Sequence, residues 1–243
     1  MTIHGPLAAR GQVGRALATA AGGATVGLWY DPNGAFAADG GNLYAWRAQN
    51  SVGTVWPGGP ANYAASLVAQ SGGVNLVEGN GAVPWAAATG WDFVAAAAQL
   101  LDTGLMPAND QSWSMFIQYT NDLLNNNTLC GSYTAVDRAF MLKNSAAQVR
   151  YFNGNALAVV PALASGNIGV AGNLAYRNGG LDGGPIAAWG GVATRNIYIG
   201  NAHGLVQYVT AKIQTLWIYD QNPALVQAQA VLAGGFRAAM GQL

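Results

Sequence analysis

At 243 residues the chain has room for one large all-β domain, and its length does not demand two. Lys+Arg and Asp+Glu number 10 each, so net charge is zero, and charged residues are 8% against about 25% in an average soluble domain, which excludes a phosphate-tracking surface and nucleic acid as a partner. The single cysteine, Cys130, excludes an intrachain disulfide and a cysteine metal site.

Residues 1–24, MTIHGPLAARGQVGRALATAAGGA, hold no aromatic and many Ala and Gly. Gly11 and Gly14 weaken any helix there, so the segment reads as an N-terminal arm. Leu7, Val13 and Leu17, with Arg10 and Arg15 between them, suit docking on a neighbouring subunit. Arg10 and Arg15 are not followed by a compact apolar run, so no signal peptide is read.

From residue 25 to 243 the texture is that of one domain, with short apolar runs punctuated by DPNG, ADGG, PGGP, SGG and GNG. That punctuation predicts strands joined by turns. The strands expected are Gly27–Tyr30, Leu43–Arg47, Ser112–Thr120, Phe140–Lys143, Val149–Asn153, Asn167–Arg177, Asn196–Gly200 and Ala211–Tyr219. YFNG (151–154) and YRNGG (176–180) carry the Asn-Gly hairpin signal. WDFVAAAAQLL (91–101) has helical propensity where the strand order wants an edge strand. The long uncharged run Tyr151–Tyr176 is broken by Pro161 and several Gly and Asn, so no membrane insertion is expected.

The chain closes on KIQTLWIYDQNPALVQAQAV (212–231). Ile213, Leu216 and Ile218 supply the apolar side of a strand, one step out of alternation, which a bulge absorbs. Trp217 and Tyr219 then face the other way. Asp220 and Asn222 form a turn, Pro223 suits a first helical turn, and Leu225, Ala228, Val231 and Leu232 make one stripe of a short C-terminal helix.

Taken together these segments resemble the concanavalin A-like (laminin-G-like) jelly-roll family. LLDTGLMPANDQSWSMFIQYTN (100–121) resembles that family's turn and alternating strand, with Trp113, Met115, Ile117 and Tyr119 alternating. LCGSYTAVDRAFMLKN (129–144) looks like the strand pair that follows, GNLAYRNGGLDG (172–183) like its hairpin, and NIYIGN (196–201) like its next strand. The closing strand and helix match the family's last elements, and the likeness covers roughly Leu100–Ala233. Residues 27–53, GLWYDPNGAFAADGGNLYAWRAQNSVG, are similar to the opening of such modules in bacteriophage structural proteins. The resemblance implies an all-β, concanavalin A-like jelly-roll sandwich of two antiparallel sheets. Some members bind calcium on the sandwich rim, for which Asp182 and Asp137 are the candidates here; no other cofactor is expected.

The family includes glucanases, but retaining hydrolysis needs two carboxyl groups about 5–5.5 Å apart. Glu78 is the one glutamate and reads as a loop residue, and no Asp pair stands at i, i+2 or i, i+4. His4 and His203 are the two histidines, too few for a histidine metal site and without carboxylates at a useful spacing. Aromatics remain, 8 Trp and 10 Tyr. Sugar rings stack on exposed indoles, and Trp217, Tyr219 and Trp189 are the glycan candidates, although most Trp fill a core or a subunit contact.

The expectation is a non-enzymatic bacteriophage virion structural protein: a capsid decoration, head-fibre or tail-associated subunit. It would associate with itself and with other virion proteins, bind host-surface glycan, and be located in the virion, made in the host cytoplasm and released by lysis. The alternative is an extracellular, secreted or cell-surface carbohydrate-binding module, with a glycoside hydrolase third.

Overall fold

The computed structural model describes residues 43–49, 60–69, 74–108, 111–123, 127–133, 140–178, 180–188, 193–202 and 207–220. The expected arm and its boundary with the domain, the strand at Gly27–Tyr30 and the closing helix after Asp220 lie outside the described residues.

Fifteen strands and one short helix, α1 (Tyr63–Ser66), follow one another along the described chain. The strands of the first sheet are β1 (Leu43–Arg47), β3 (Trp85–Ala86), β4 (Gly90–Phe93), β6 (Ser114–Thr120), β11 (Gly166–Ala171), β12 (Leu174–Arg177), β13 (Gly180–Gly183) and β15 (Ala211–Tyr219). The second sheet holds β2 (Val77–Gly79), β5 (Leu100–Asp102), β7 (Thr128–Ser132), β8 (Phe140–Asn144), β9 (Val149–Asn153), β10 (Asn155–Val159) and β14 (Tyr198–Ile199). Their orders are β13-β12-β11-β6-β15-β4-β3, with β1 also on β15, and β10-β9-β8-β7-β14-β5-β2. All the strand pairs are antiparallel, so the chain forms an all-β sandwich, as expected.

Alternation places the core. Met115, Ile117 and Tyr119 of β6, Ile168 and Val170 of β11 and Leu216 and Ile218 of β15 turn inward, buried against residues such as Leu142 and Tyr151 of the other sheet. The phase of β15 changes where its register against β6 shifts, between Ile213 and Thr215, and this is the predicted bulge. There the Gln214 carbonyl accepts from Ala48 N at 2.8 Å and Gln49 N at 3.3 Å. Below the bulge β15 pairs with β4, above it with β1.

Three expectations change. Asn167–Arg177 is not one strand: it folds at Gly172 (φ 56°) into the β11–β12 hairpin. Residues 91–101 are neither one helix nor one edge strand. They supply β4 to one sheet and β5 to the other, joined by a 3-10 turn at Ala95–Ala97, because Trp91, Phe93 and Leu101 all have a core to enter. Glu78 lies on the edge strand β2 rather than in a loop.

Gly169 fixes one packing detail. Its backbone lies under Phe116, and a Cβ there would collide with the ring. We expect Gly169→Ala to cost about 1–3 kcal/mol by overpacking. Thermal unfolding should register this as a lower Tm, partly recovered by adding Phe116→Leu.

Candidate functional site: an amide rim at one end of the sandwich

The predicted glycan aromatics come first. Trp217 and Tyr219 do face away from the inter-sheet core, as their alternation requires, but they are 1% and 0% exposed. They join Phe116 and Tyr176 in an aromatic cluster: Phe116–Trp217 centroids are 5.6 Å apart, edge-on, and Phe116–Tyr176 6.0 Å. Neither ring offers a sugar an open face, which corrects the expectation of an exposed indole at Trp217. The hydroxyls of Ser114 and Tyr176 lie buried on the same side of the sheet with no hydrogen-bond partner among the described residues. Elsewhere the indoles of Trp46 and Trp91 are core, their N–H groups donating to Val74 O and Ser66 Oγ, each at 2.9 Å.

Asp182 is already occupied. Its Oδ2 accepts from Tyr151 OH at 2.6 Å and from Arg177 Nε at 2.9 Å, and pairs with Arg177 Nη2 at 2.8 Å. Arg177 Nη1 donates to Pro161 O at 2.7 Å, so the cluster ties β12 and β13 to β9 and to the chain just after β10. The carboxylate neutralises a guanidinium here, through the Oδ2 oxygen of the aspartate named as a calcium candidate. Asp137, Trp189, His4, His203 and the arm residues lie outside the described residues. Cys130 is buried, and burial raises its thiol pKa, which makes it a poor nucleophile.

Glu78 has an acidic neighbour across the strand pair, but not on its own side. Glu78 is opposite Leu101, and Asp102 opposite Val77, so the two carboxyl side chains project to opposite faces. Asp102 also has structural work, accepting from Gly104 N at 2.8 Å and from Asn196 Nδ2 at 3.1 and 3.2 Å. This is the Asp-Thr-Gly turn singled out in the sequence.

Where the first turns of β6, β10 and β12 meet, a set of amides converges that sequence reasoning missed. Asn153, 1% exposed, donates through Nδ2 to Gly172 O at 2.7 Å and Trp113 O at 3.2 Å. Gln111 donates through Nε2 to Asn153 O at 2.6 Å and Ile186 O at 3.1 Å. Asn155 donates through Nδ2 to Ala188 O at 3.2 Å. With both hydrogens of the Asn153 and Gln111 amides and one of the Asn155 amide engaged by backbone carbonyls, Gln111 Oε1 and Asn155 Oδ1 remain as acceptors with no donor among the described residues. Trp113, whose carbonyl accepts from Asn153 Nδ2, is partly buried with its side chain packed on the core. Gln111 also has φ 62°, a left-handed conformation that costs a non-glycine residue about 1–2 kcal/mol. Such outliers recur at ligand clamps.

The signal for this rim was present but ambiguous. Asn153-Gly154-Asn155 was read only as a hairpin turn, and Gln111 lay in the run preceding a strand. Of the three predicted aromatics, Trp189 stands nearest in sequence, one residue after Ala188, which Asn155 holds.

No protein family and no curated relative matches the sequence. Solved structures do match in fold. A Trypanosoma rangeli sialidase, in complex with 2,3-difluorosialic acid, aligns at TM-score 0.50 and 13% identity, over 82% of this chain and 33% of that one. Domain 4 of an extracellular arabinanase from Geobacillus stearothermophilus, in complex with arabinotriose, aligns at TM-score 0.37 and 14% identity, over 79% and 88%. A receptor binding domain aligns at TM-score 0.47 and 11% identity, over 77% and 50%. The chain thus spans about a third of the sialidase, and the likeness is one of fold.

Two predictions follow from this chemistry. Asp182→Asn should cost about 2 kcal/mol by removing charge-assisted hydrogen bonds, while a chelator should leave the Tm of the unaltered chain unchanged. Burial raises the Tyr176 hydroxyl to about 12, and burial followed by the Asp182 hydrogen bond raises Tyr151. Since unfolded tyrosine titrates near 10, the native state keeps protons that the unfolded state loses above that pH. Stability is therefore full below pH ~10 and falls as pH rises toward ~12, by up to about 1.4 kcal/mol per pH unit for each tyrosine. Denaturant titrations across that range should show the slope reduced in Tyr176→Phe and Tyr151→Phe.

Proposed function

We propose that this chain is a non-enzymatic, glycan-recognising β-sandwich carried on a larger assembly. In its most specific form the assembly is a bacteriophage particle and the chain a capsid-decoration, head-fibre or tail-associated subunit. The observation that carries the glycan reading is the amide rim, where partly buried Trp113 gives its backbone carbonyl to Asn153 and uncharged acceptors are held by backbone hydrogen bonds. An apolar ring with a few fixed polar groups is what binding a neutral, hydroxyl-rich ligand requires. A sandwich of similar fold occurs within a sialidase, and this agrees with the reading without adding a residue to it. The placement of Glu78 and Asp102 on opposite faces supports a binding rather than a hydrolytic role.

The assembly half of the proposal rests on composition and on the phage-like opening of the sequence. With 8% charged residues and 51% hydrophobic ones, the chain has little charge to cover a free surface. Exposed Val160, Leu181 and Leu123 are consistent with contacts to other subunits.

A glycan panel monitored by tryptophan fluorescence should give a saturable shift with at least one sugar, lost in Trp113→Ala while the fold is retained. Light scattering after size exclusion should show an oligomer. No reducing sugar should be released from laminarin or lichenan, by the unaltered chain or by Glu78→Gln. A flat panel would remove the glycan reading, and a monomer the assembly reading.

A further inference from the structure

We infer that the amide rim selects neutral sugars over anionic ones, sialic acids included. The inference rests on the glycan reading above and names the substrate class of that same site.

The direction of the amides decides it. Asn153, Gln111 and Asn155 all turn their nitrogens toward backbone carbonyls of the neighbouring turns, namely Gly172, Trp113, Ile186 and Ala188. Both hydrogens of the Gln111 and Asn153 amides and one of the Asn155 amide are engaged. Among the described residues the rim therefore presents, against one remaining N–H of Asn155, chiefly oxygen: Gln111 Oε1 and Asn155 Oδ1. A sugar hydroxyl donates to such atoms, whereas a carboxylate or sulfate has no hydrogen to give and meets like partial charge. An anion site needs the reverse arrangement, with N–H groups or a guanidinium aimed at the ligand.

The described cations do not repair this. Arg177 stands at the far end of β12 from its turn with β11, about 10 Å along the strand. Its guanidinium is held by Asp182, Pro161 O and Val159 O. Arg150 lies across from Ala158, again about 10 Å down the β9–β10 hairpin from Asn155. Arg195 is on the same end of the molecule, its carbonyl accepting from Ser132 Oγ at 2.7 Å. Ser132 is across from Phe140, Phe140 from Asn153 and Asn153 from Asn155. Three strand spacings, about 14 Å, thus separate that position from Asn155, more than a single sugar ring spans.

Calorimetric titration of the full chain with lactose and with 3′-sialyllactose tests this. The expected result is that lactose binds, sialyllactose binds no more tightly, and Gln111→Ala and Asn155→Ala each weaken lactose about two- to tenfold with unchanged circular dichroism. Asn155→Lys, which puts a cation on the rim, should shift preference toward sialyllactose. If sialyllactose binds the unaltered chain tenfold or more tightly than lactose, the neutral-sugar inference falls while the glycan reading stands. If neither these two sugars nor any neutral oligosaccharide of the panel gives heat, the glycan reading falls and takes the inference with it.

Discussion

The last described strand, β15, holds the middle of its sheet. One edge of it pairs with β6 over nearly its whole length, and the other is shared by β4 and β1. Residues 43–47 and 90–93 thus find their places only when residues 211–219 have been reached. Such pairing is non-local, and loop closure must precede it. The bulge at Gln214 lets one strand serve two partners on one edge: it reverses the side-chain phase, so Ile213 and Leu216 both enter the core, and its carbonyl receives two N–H groups from the chain after β1.

That central strand also places the rim. Tyr219 at the end of β15 is paired with Ser114 at the start of β6, and Trp113 follows directly beyond it. The β11–β12 turn meets the same place, since Gly172 N donates to Trp113 O at 3.3 Å. From the opposite sheet the β9–β10 turn reaches across, and the Asn153 carboxamide joins the two layers. The rim therefore stands on the rigid ends of strands, which precision in binding favours. Its geometry depends on backbone carbonyls from both sheets.

How much of this was legible follows from what each residue can do alone. Strands with a 2-residue period and one buried face were readable: β1, β6, β8, β9 and β15 fall within a residue or two of expectation. The slip in β15 was readable too, because a phase error in an apolar pattern has few causes. Residues 91–101 were not, since even an Ala-rich run's helical propensity yields to tertiary packing, and the core between the sheets claimed its Trp91, Phe93 and Leu101. Nor was the burial of Trp217 and Tyr219. Alternation tells which face a side chain takes but not what packs beside it, and Phe116 and Tyr176 come from strands distant in sequence. The rim was least legible, because an Asn in an Asn-Gly turn looks the same whether its amide serves the turn or a site.

The small number of charges gives these observations a common sense. Where the described structure pairs charges, it uses them internally: Arg177 with Asp182 across a hairpin, Lys212 with Asp92 between β15 and β4 at 3.5 Å. The second of these pairs is partly exposed and worth little, and the first is tied into a network that joins the sheets. Recognition of the kind proposed would then be left to dipoles and rings, whose energies are short-ranged and insensitive to salt. A surface of that kind gains little from steering at a distance and relies on being held near its target. On the proposed reading, display of many copies on one assembly would supply that proximity, since linked weak sites bind together far more tightly than singly. Low charge and an uncharged rim thus follow from one economy of composition, and the assembled state proposed above would suit both.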